Sequence, residues 1–277
     1  MTVPTEVGGA PIGPGPLGDP IHRLCDAQGE VQIHARGRLR LLTLGNQVEQ
    51  SCIDLDHPAR LVHAYTRAML LGLLLVPAPR SALLLGLGGG ALAQALLAAD
   101  AAIAIEAVES RALVVEAARR YLALPDSGRL QVHVGDAAAF VRRTEASYDL
   151  ALLDLYEADG VHPDQHGPGF LAACRGRLRH GGLLVANLWS RAYQEFLRAN
   201  GALQLVFPGR VLYLHVQGGN AVAFAFPDEV PGLRQANFLG AAQVLGLRLG
   251  IPLQPLARAL WGQNAETLHR ARLCPGS

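Results

Sequence analysis

Lysine is absent: the 24 side chains of the Lys+Arg count are all arginine. No Schiff-base lysine and no Walker-type phosphate lysine is therefore available. Cysteine is sparse. Cys25, Cys52, Cys174 and Cys274 are scattered without short paired spacing, which excludes a disulfide frame and a thiolate zinc site and predicts reduced thiols in a cytoplasmic protein. Neither sign of charge dominates. A formal net charge of +1 gives no overall field for nucleic acid or an anionic membrane surface, and neither is expected as a partner. The opening MTVPTEVGGAPIGPGPLGDP has no cationic start followed by an apolar stretch, so it does not read as a signal peptide. Its Gly and Pro content predicts a disordered leader over residues 1–20.

Long apolar runs are also rare. The longest uncharged stretch, Ser81 to Ala99, approaches the length of a membrane span. Four glycines at 86, 88, 89 and 90 interrupt it, and Asp100 ends it. Short apolar segments then alternate with charged helical ones to about residue 190, the pattern of an α/β protein and not of a lipid-facing helix.

With 277 residues, half of them hydrophobic, the chain has ample material for one large core and a smaller appendage. VQIHA, RLRLLTL and QVEQSCIDL read as short strands punctuated by Gly37 and Gly45-Asn46. They predict a small N-terminal β-domain over 21–56. Apolar periodicity predicts a helix over 57–75, closed by Pro77 and Pro79. A strand–helix repeat follows: strands at 82–87, 103–109, 130–134, 149–155 and 183–189, helices at 91–99, 111–121, 137–143 and 168–179. Continuously apolar strands separated by helices require a parallel sheet covered on both faces. Gly218-Gly219-Asn220 marks a C-terminal hairpin within 211–226, and 234–262 reads as helical. The expected fold is thus an α/β domain over 57–277, its sheet mainly parallel with a C-terminal antiparallel hairpin, preceded by the small β-domain.

The chemistry concentrates at strand ends. Gly86-Leu87-Gly88-Gly89-Gly90 lies between a strand and a helix, at the carboxyl edge where open parallel sheets bind ligands. By itself this loop also fits a tight turn. Glu109 ends the next strand about 20 residues on, the spacing at which an acid meets ribose hydroxyls; it also suits a helix N-terminus. Asp136, followed by Ala137, ends the third strand, placed to take an adenine amino group while the next amide donates to the ring, or simply to cap a helix. Asp154 ends the fourth. Three acids at successive strand ends beside a glycine loop point to a nucleoside-bearing compound, either a dinucleotide or an S-adenosyl sulfonium compound, and Asp136 and Asp154 fit the sulfonium better. Residues 144–174 carry six acids and no arginine, which suits a cationic acceptor or an ordinary solvated loop. His162 and His166 near Asp159 and Asp164 raise a metal, but no outer ligand frame accompanies them and none is expected.

The motifs LGNQVEQS, YTRAML, LLLGLGGG, AVES, VGDAAAFV, YDLALLDLYEADG and GGLLVANLW, from roughly Leu39 to Trp189, resemble the spermidine synthase (polyamine aminopropyltransferase) family. The resemblance implies an N-terminal β-domain, a Rossmann-like core of the class I methyltransferase type and a homodimer. It also implies site roles. Gln50, Gly86, Gly88, Glu109, Asp136 and Ala137 would hold the nucleoside. Tyr65 would sit near the transferred amine, Asp154 would accept its proton, and Tyr156 and Glu157 would meet the acceptor. Gly89 stands where the family's loop carries an Asp that grips the donor's propylamine, and Thr66-Arg67 replace its His-Glu. The implied activity is aminopropyl transfer from decarboxylated S-adenosylmethionine to a small cationic amine such as putrescine. Two alternatives stay open: an S-adenosylmethionine-dependent small-molecule methyltransferase, and a non-catalytic nucleoside-binding sensor or partner subunit.

Overall fold

Two sheets divide the chain. The computed structural model describes residues 17–46, 48–155, 167–189 and 193–273. The first sheet is an antiparallel meander of β1 (His22–Asp26), β2 (Gly29–Arg36), β3 (Leu39–Thr43) and β4 (Ser51–Asp54), in that spatial order. Strand β1 is additional to the three short strands read from the sequence. Strand β4 is shorter than QVEQSCIDL predicts, because only Ser51–Asp54 pair with β3.

The second sheet has seven strands: β5 (Ser81–Leu85), β6 (Ala104–Glu109), β7 (Leu130–Val134), β8 (Tyr148–Leu153), β9 (Leu178–Trp189), β10 (Val211–Val216) and β11 (Asn220–Ala225). Their order is β10-β11-β9-β8-β5-β6-β7. Strands β5 to β9 are mutually parallel, and β11 runs antiparallel to β9 and β10. The sheet is therefore mainly parallel with an antiparallel C-terminal hairpin, as predicted.

Alternation along each central strand explains the layers. From β5, Leu84 enters one core, while Leu83 and Leu85 enter the other; all are at most 1% exposed. The first core is closed by α1 (Ala64–Met69) with the 3-10 turn Leu70–Leu74, α2 (Ala91–Ala99), α3 (Ala112–Tyr121), α7 (Gln235–Leu249) and α8 (Leu253–Gln263). The second is closed by α4 (Ala137–Arg143), α5 (Pro168–Arg175) and α6 (Tyr193–Val206). A last helix, α9, spans Ala265–Leu273. The helical segment read over 234–262 is divided into α7 and α8, α6 falls where no helix was read, and two predicted helices are shorter than expected. The helix predicted over 57–75 is regular only from Ala64, because Arg67 donates to the Leu61 and Val62 carbonyls at 2.7 and 2.8 Å and holds the preceding chain out of helix. The helix predicted over 168–179 ends at Arg175, since Leu178 already pairs with β8.

A largely buried arginine ties the N-terminal sheet to the end of β6. Arg111 donates to Asp26 through Nε at 2.9 Å and Nη2 at 2.7 Å, across 85 residues. The same bidentate pair holds the Asp26 carboxyl below its usual range. Arg111 follows Glu109 by two residues, so the clamp fixes the N-terminal sheet over the carboxyl edge of the large one.

Candidate active site

That carboxyl edge opens into a cavity of about 380 Å³. Every described residue assigned to the site from the sequence lines it: Gln50, Tyr65, Gly86, Gly88, Glu109, Asp136, Ala137 and Asp154. Tyr156 and Glu157 lie outside the described residues, as do His162, His166, Asp159 and Asp164.

Each side chain arrives for a local reason. Gly86 leaves β5 with φ +94°, a conformation glycine tolerates and other residues strain to reach. Glu109 turns back onto the loop that follows. Its Oε2 accepts from the Leu87 and Gly88 amides, both at 3.2 Å, and its Oε1 accepts from the Arg111 amide at 3.1 Å. The acid thus ties the glycine loop to the end of β6. Asp136 accepts from the Ala139 amide at 2.6 Å, so it caps α4 as well as lining the cavity. The cap does not remove it from the cavity wall.

Asp154 follows β8 at the inner end. Its Oδ1 accepts from Asn187 Nδ2 at 2.9 Å. Desolvation raises its carboxyl above the usual range, opposed by hydrogen bonds from Asn187 and Tyr65 and by the charge of His63. Tyr65 is carried on the first turn of α1, with its ring stacked on His63 at 5.7 Å between centroids. His63 in turn meets Glu49 at 3.2 Å. Gln50 precedes β4 and is fixed by its amide, which donates to the Leu42 carbonyl at 2.9 Å.

The departures from the family motifs have physical counterparts. A Cβ on Gly89 would lie 2.5 Å from Ser51 Oγ and 2.9 Å from its Cβ. Ser51 therefore occupies the space a loop aspartate would need. Thr66 and Arg67 serve the backbone instead: Thr66 Oγ1 donates to the His63 carbonyl at 2.9 Å, and Arg67 braces 61–62 as described. The buried thiols are inert, with Cys52 and Cys174 both pushed up to about 12 by burial.

Sequence reasoning missed Ser51, His63, Thr66, Arg142, Phe170 and Asn187. The first five line the cavity, and Asn187 holds Asp154 from behind. Only Asn187 carried a signal, as the one polar residue in the apolar run LLVANLW.

A cleft of this kind, at the carboxyl edge of a mainly parallel seven-strand sheet with one antiparallel strand, belongs to a methyltransferase-like fold. Solved structures agree. A probable spermidine synthase from Corynebacterium glutamicum superposes with a TM-score of 0.67 at 19% identity, covering 87% of this chain and 94% of that one. Human methyltransferase-like protein 13 gives 0.62 at 23%, covering 69% and 94%.

Sequence comparison narrows the class. The spermine/spermidine synthase domain matches residues 62–206. The polyamine aminopropyltransferase of Chromobacterium violaceum is 32% identical over 247 residues, 87% of this chain and 93% of that protein. That of Neisseria meningitidis serogroup A is 33% identical over 218 residues, 76% and 82% respectively. The chain belongs to the spermine/spermidine synthase family, and it is a transferase.

Proposed function

We propose that this protein transfers the aminopropyl group of decarboxylated S-adenosylmethionine to a small cationic amine such as putrescine. The observation that carries the reading is the joint presence, in one cleft, of the Glu109 and Asp136 strand-end acids and the Asp154–Tyr65 pair. In this reading Glu109 takes the ribose hydroxyls, Asp136 and the Ala137 amide take the adenine edge, and Gln50 closes the nucleoside site from the N-terminal sheet. Gly86 and Gly88 let the backbone approach the donor.

The acceptor nitrogen is protonated at neutral pH and has no lone pair for attack. Asp154 binds the ammonium, steered by Tyr65, and takes one proton. The freed lone pair attacks the aminopropyl carbon bound to the sulfonium. The new N–C bond forms as the C–S bond breaks, and the electron pair leaves on sulfur as the neutral thioether methylthioadenosine. The sulfonium is already an activated leaving group. Desolvation of Asp154 suits the task, because a carboxyl raised from its usual range is a stronger base. Tyr156 and Glu157 would complete the acceptor side.

The wider parts of the reading have their own support. The proposed partition is a leader to residue 20, a β-domain over 21–56 and a transferase domain over 57–277, and the separate four-stranded and seven-stranded sheets support the last two. Free Cys25, Cys52 and Cys174 favour the cytoplasm. A homodimer is the family's common state.

Calorimetry with decarboxylated S-adenosylmethionine, S-adenosylmethionine and methylthioadenosine, followed by mass detection of the amine product from putrescine, tests the proposal. Tighter binding of the decarboxylated donor and an aminopropylated product are expected. Binding of the carboxylated donor alone would move the reading to methyl transfer. Nucleoside binding without turnover would leave a sensor.

A further inference from the structure

Behind Asp154 stand two buried amides. Asn187 is 2% exposed and Asn220 is 8%. Asn220 Nδ2 donates to Asn187 Oδ1 at 3.0 Å, and Asn187 Nδ2 donates to Asp154 Oδ1 at 2.9 Å. Topology brings them together. Leu153 of β8 pairs with Ala186 of β9, so the residues that follow, Asp154 and Asn187, emerge side by side at the carboxyl edge. Strand β11 runs the other way, so its first residue, Asn220, lies at that same edge opposite Trp189. Burying an amide in an apolar sheet is costly unless its polar atoms are met. Two such residues in line with one carboxylate call for a reason beyond packing.

We infer that Asn220 and Asn187 form a positioning relay that fixes Oδ1 of Asp154 and, with Tyr65, holds the carboxyl toward the substrate ammonium. The inference rests on the proposed role of Asp154 as proton acceptor. Its logic is electrostatic. A buried carboxylate needs hydrogen-bond donors to stay anionic. His63 and Tyr65 face Asp154 from the α1 side; a further cationic donor from the sheet would add positive charge to a site proposed to hold a cation. An amide supplies the donor and no net charge.

The second amide reinforces the polarity of the first. The side-chain amide of asparagine has nearly the same shape when its O and N exchange places. An ionised Asp154 can only accept and so draws the Asn187 NH2, and the Asn220 NH2 meets the Asn187 carbonyl on the other side, so both contacts favour one orientation of Asn187. Asn220 thereby supports the donor that Asp154 uses, and through it the state of the base.

The test compares Asn220→Ala and Asn220→Asp in the full chain, with Asp154→Asn alongside, by the pH profile of kcat/KM with decarboxylated S-adenosylmethionine and putrescine. In Asn220→Asp the new carboxylate can only accept. It draws the Asn187 NH2 to itself and turns the Asn187 carbonyl toward Asp154. The acid limb of the profile moves up by roughly one pH unit or more, the scale of a lost hydrogen bond to a charged group, and the rate on that limb falls about tenfold per unit. Affinity for methylthioadenosine stays at the wild-type value. Asn220→Ala leaves Asp154 free to choose the Asn187 orientation, and its limb moves less. Should Asn220→Asp fail to fold, Asn187→Leu removes the donor at similar volume and is expected to move the limb the same way. Equal rate losses in both Asn220 variants with an unmoved limb would mean packing alone and overturn the relay. An inactive Asp154→Asn beside unaffected relay variants would overturn the relay and leave the proposed function standing. A fully active Asp154→Asn would overturn both.

Discussion

Gly86 and Asp154 meet backbone to backbone: a Cβ on Gly86 would stand 2.1 Å from the Asp154 carbonyl oxygen. The Asp154 amide donates to the Leu85 carbonyl at 2.9 Å, so the ends of β5 and β8 are laced together one residue before the glycine loop turns away. The sides of the cleft proposed for the nucleoside and for the base thus share this contact, and its closeness depends on the missing side chain.

Gly86→Ala is accordingly expected to damage both functions at once. Alanine would meet the Asp154 carbonyl and also sit at φ +94°, where L residues are strained by about 1–3 kcal/mol. Loop and base must then separate. Calorimetry with methylthioadenosine should show weakened binding, a thermal melt should show lower stability, and turnover should be lost. Unchanged binding and rate would mean that the loop and Asp154 are not mechanically joined.

Glu109→Ala separates the nucleoside site from the base. Removing this carboxylate takes away the acceptor proposed for ribose and also the one for the Leu87 and Gly88 amides. Affinity for methylthioadenosine should fall by about 1–3 kcal/mol, the scale of hydrogen bonds to a charged acceptor. Glu109→Gln should recover part of that loss, because its carbonyl can still accept one bond while its NH2 repels the loop amides. An affinity equal to wild type in Glu109→Ala would remove Glu109 from the nucleoside site.

How far the sequence disclosed this site follows from what each residue depends on. The strand-end acids were legible because strand, glycine loop and helix are local patterns, and a parallel sheet places all carboxyl ends on one edge. Strand β1 was not: HRLCD is exposed at four of five positions and shows no burial alternation. Helix α6 escaped for a similar reason, since Leu205 and Leu197, 71% and 41% exposed, blur its apolar face. The Asn220–Asn187–Asp154 line joins residues 33 apart at each step. Only the assembled sheet brings them into contact. Ser51 against Gly89 is the same kind of fact, a contact between the two sheets with no signature in either segment.

Asp154→Asn should abolish transfer and leave methylthioadenosine affinity intact, because the amide cannot take the acceptor's proton yet does not face the nucleoside donors. Its effect on stability should run the opposite way. Burial raises the native Asp154 carboxyl above its ordinary value. The native state therefore binds that proton more tightly than the unfolded chain does. Unfolding free energy then falls as pH rises from the ordinary carboxylate range through the raised native value, and is level above it. Asparagine carries no such cost and still offers Oδ1 to the Asn187 amide. At neutral pH the variant should melt at or above the wild-type temperature, and the gap should close as pH drops below the ordinary carboxylate range. Thermal melts from acid to neutral pH decide it. A variant less stable than wild type only at neutral pH would show that ionised Asp154 stabilises the fold, and the strain assigned to a desolvated base would be absent.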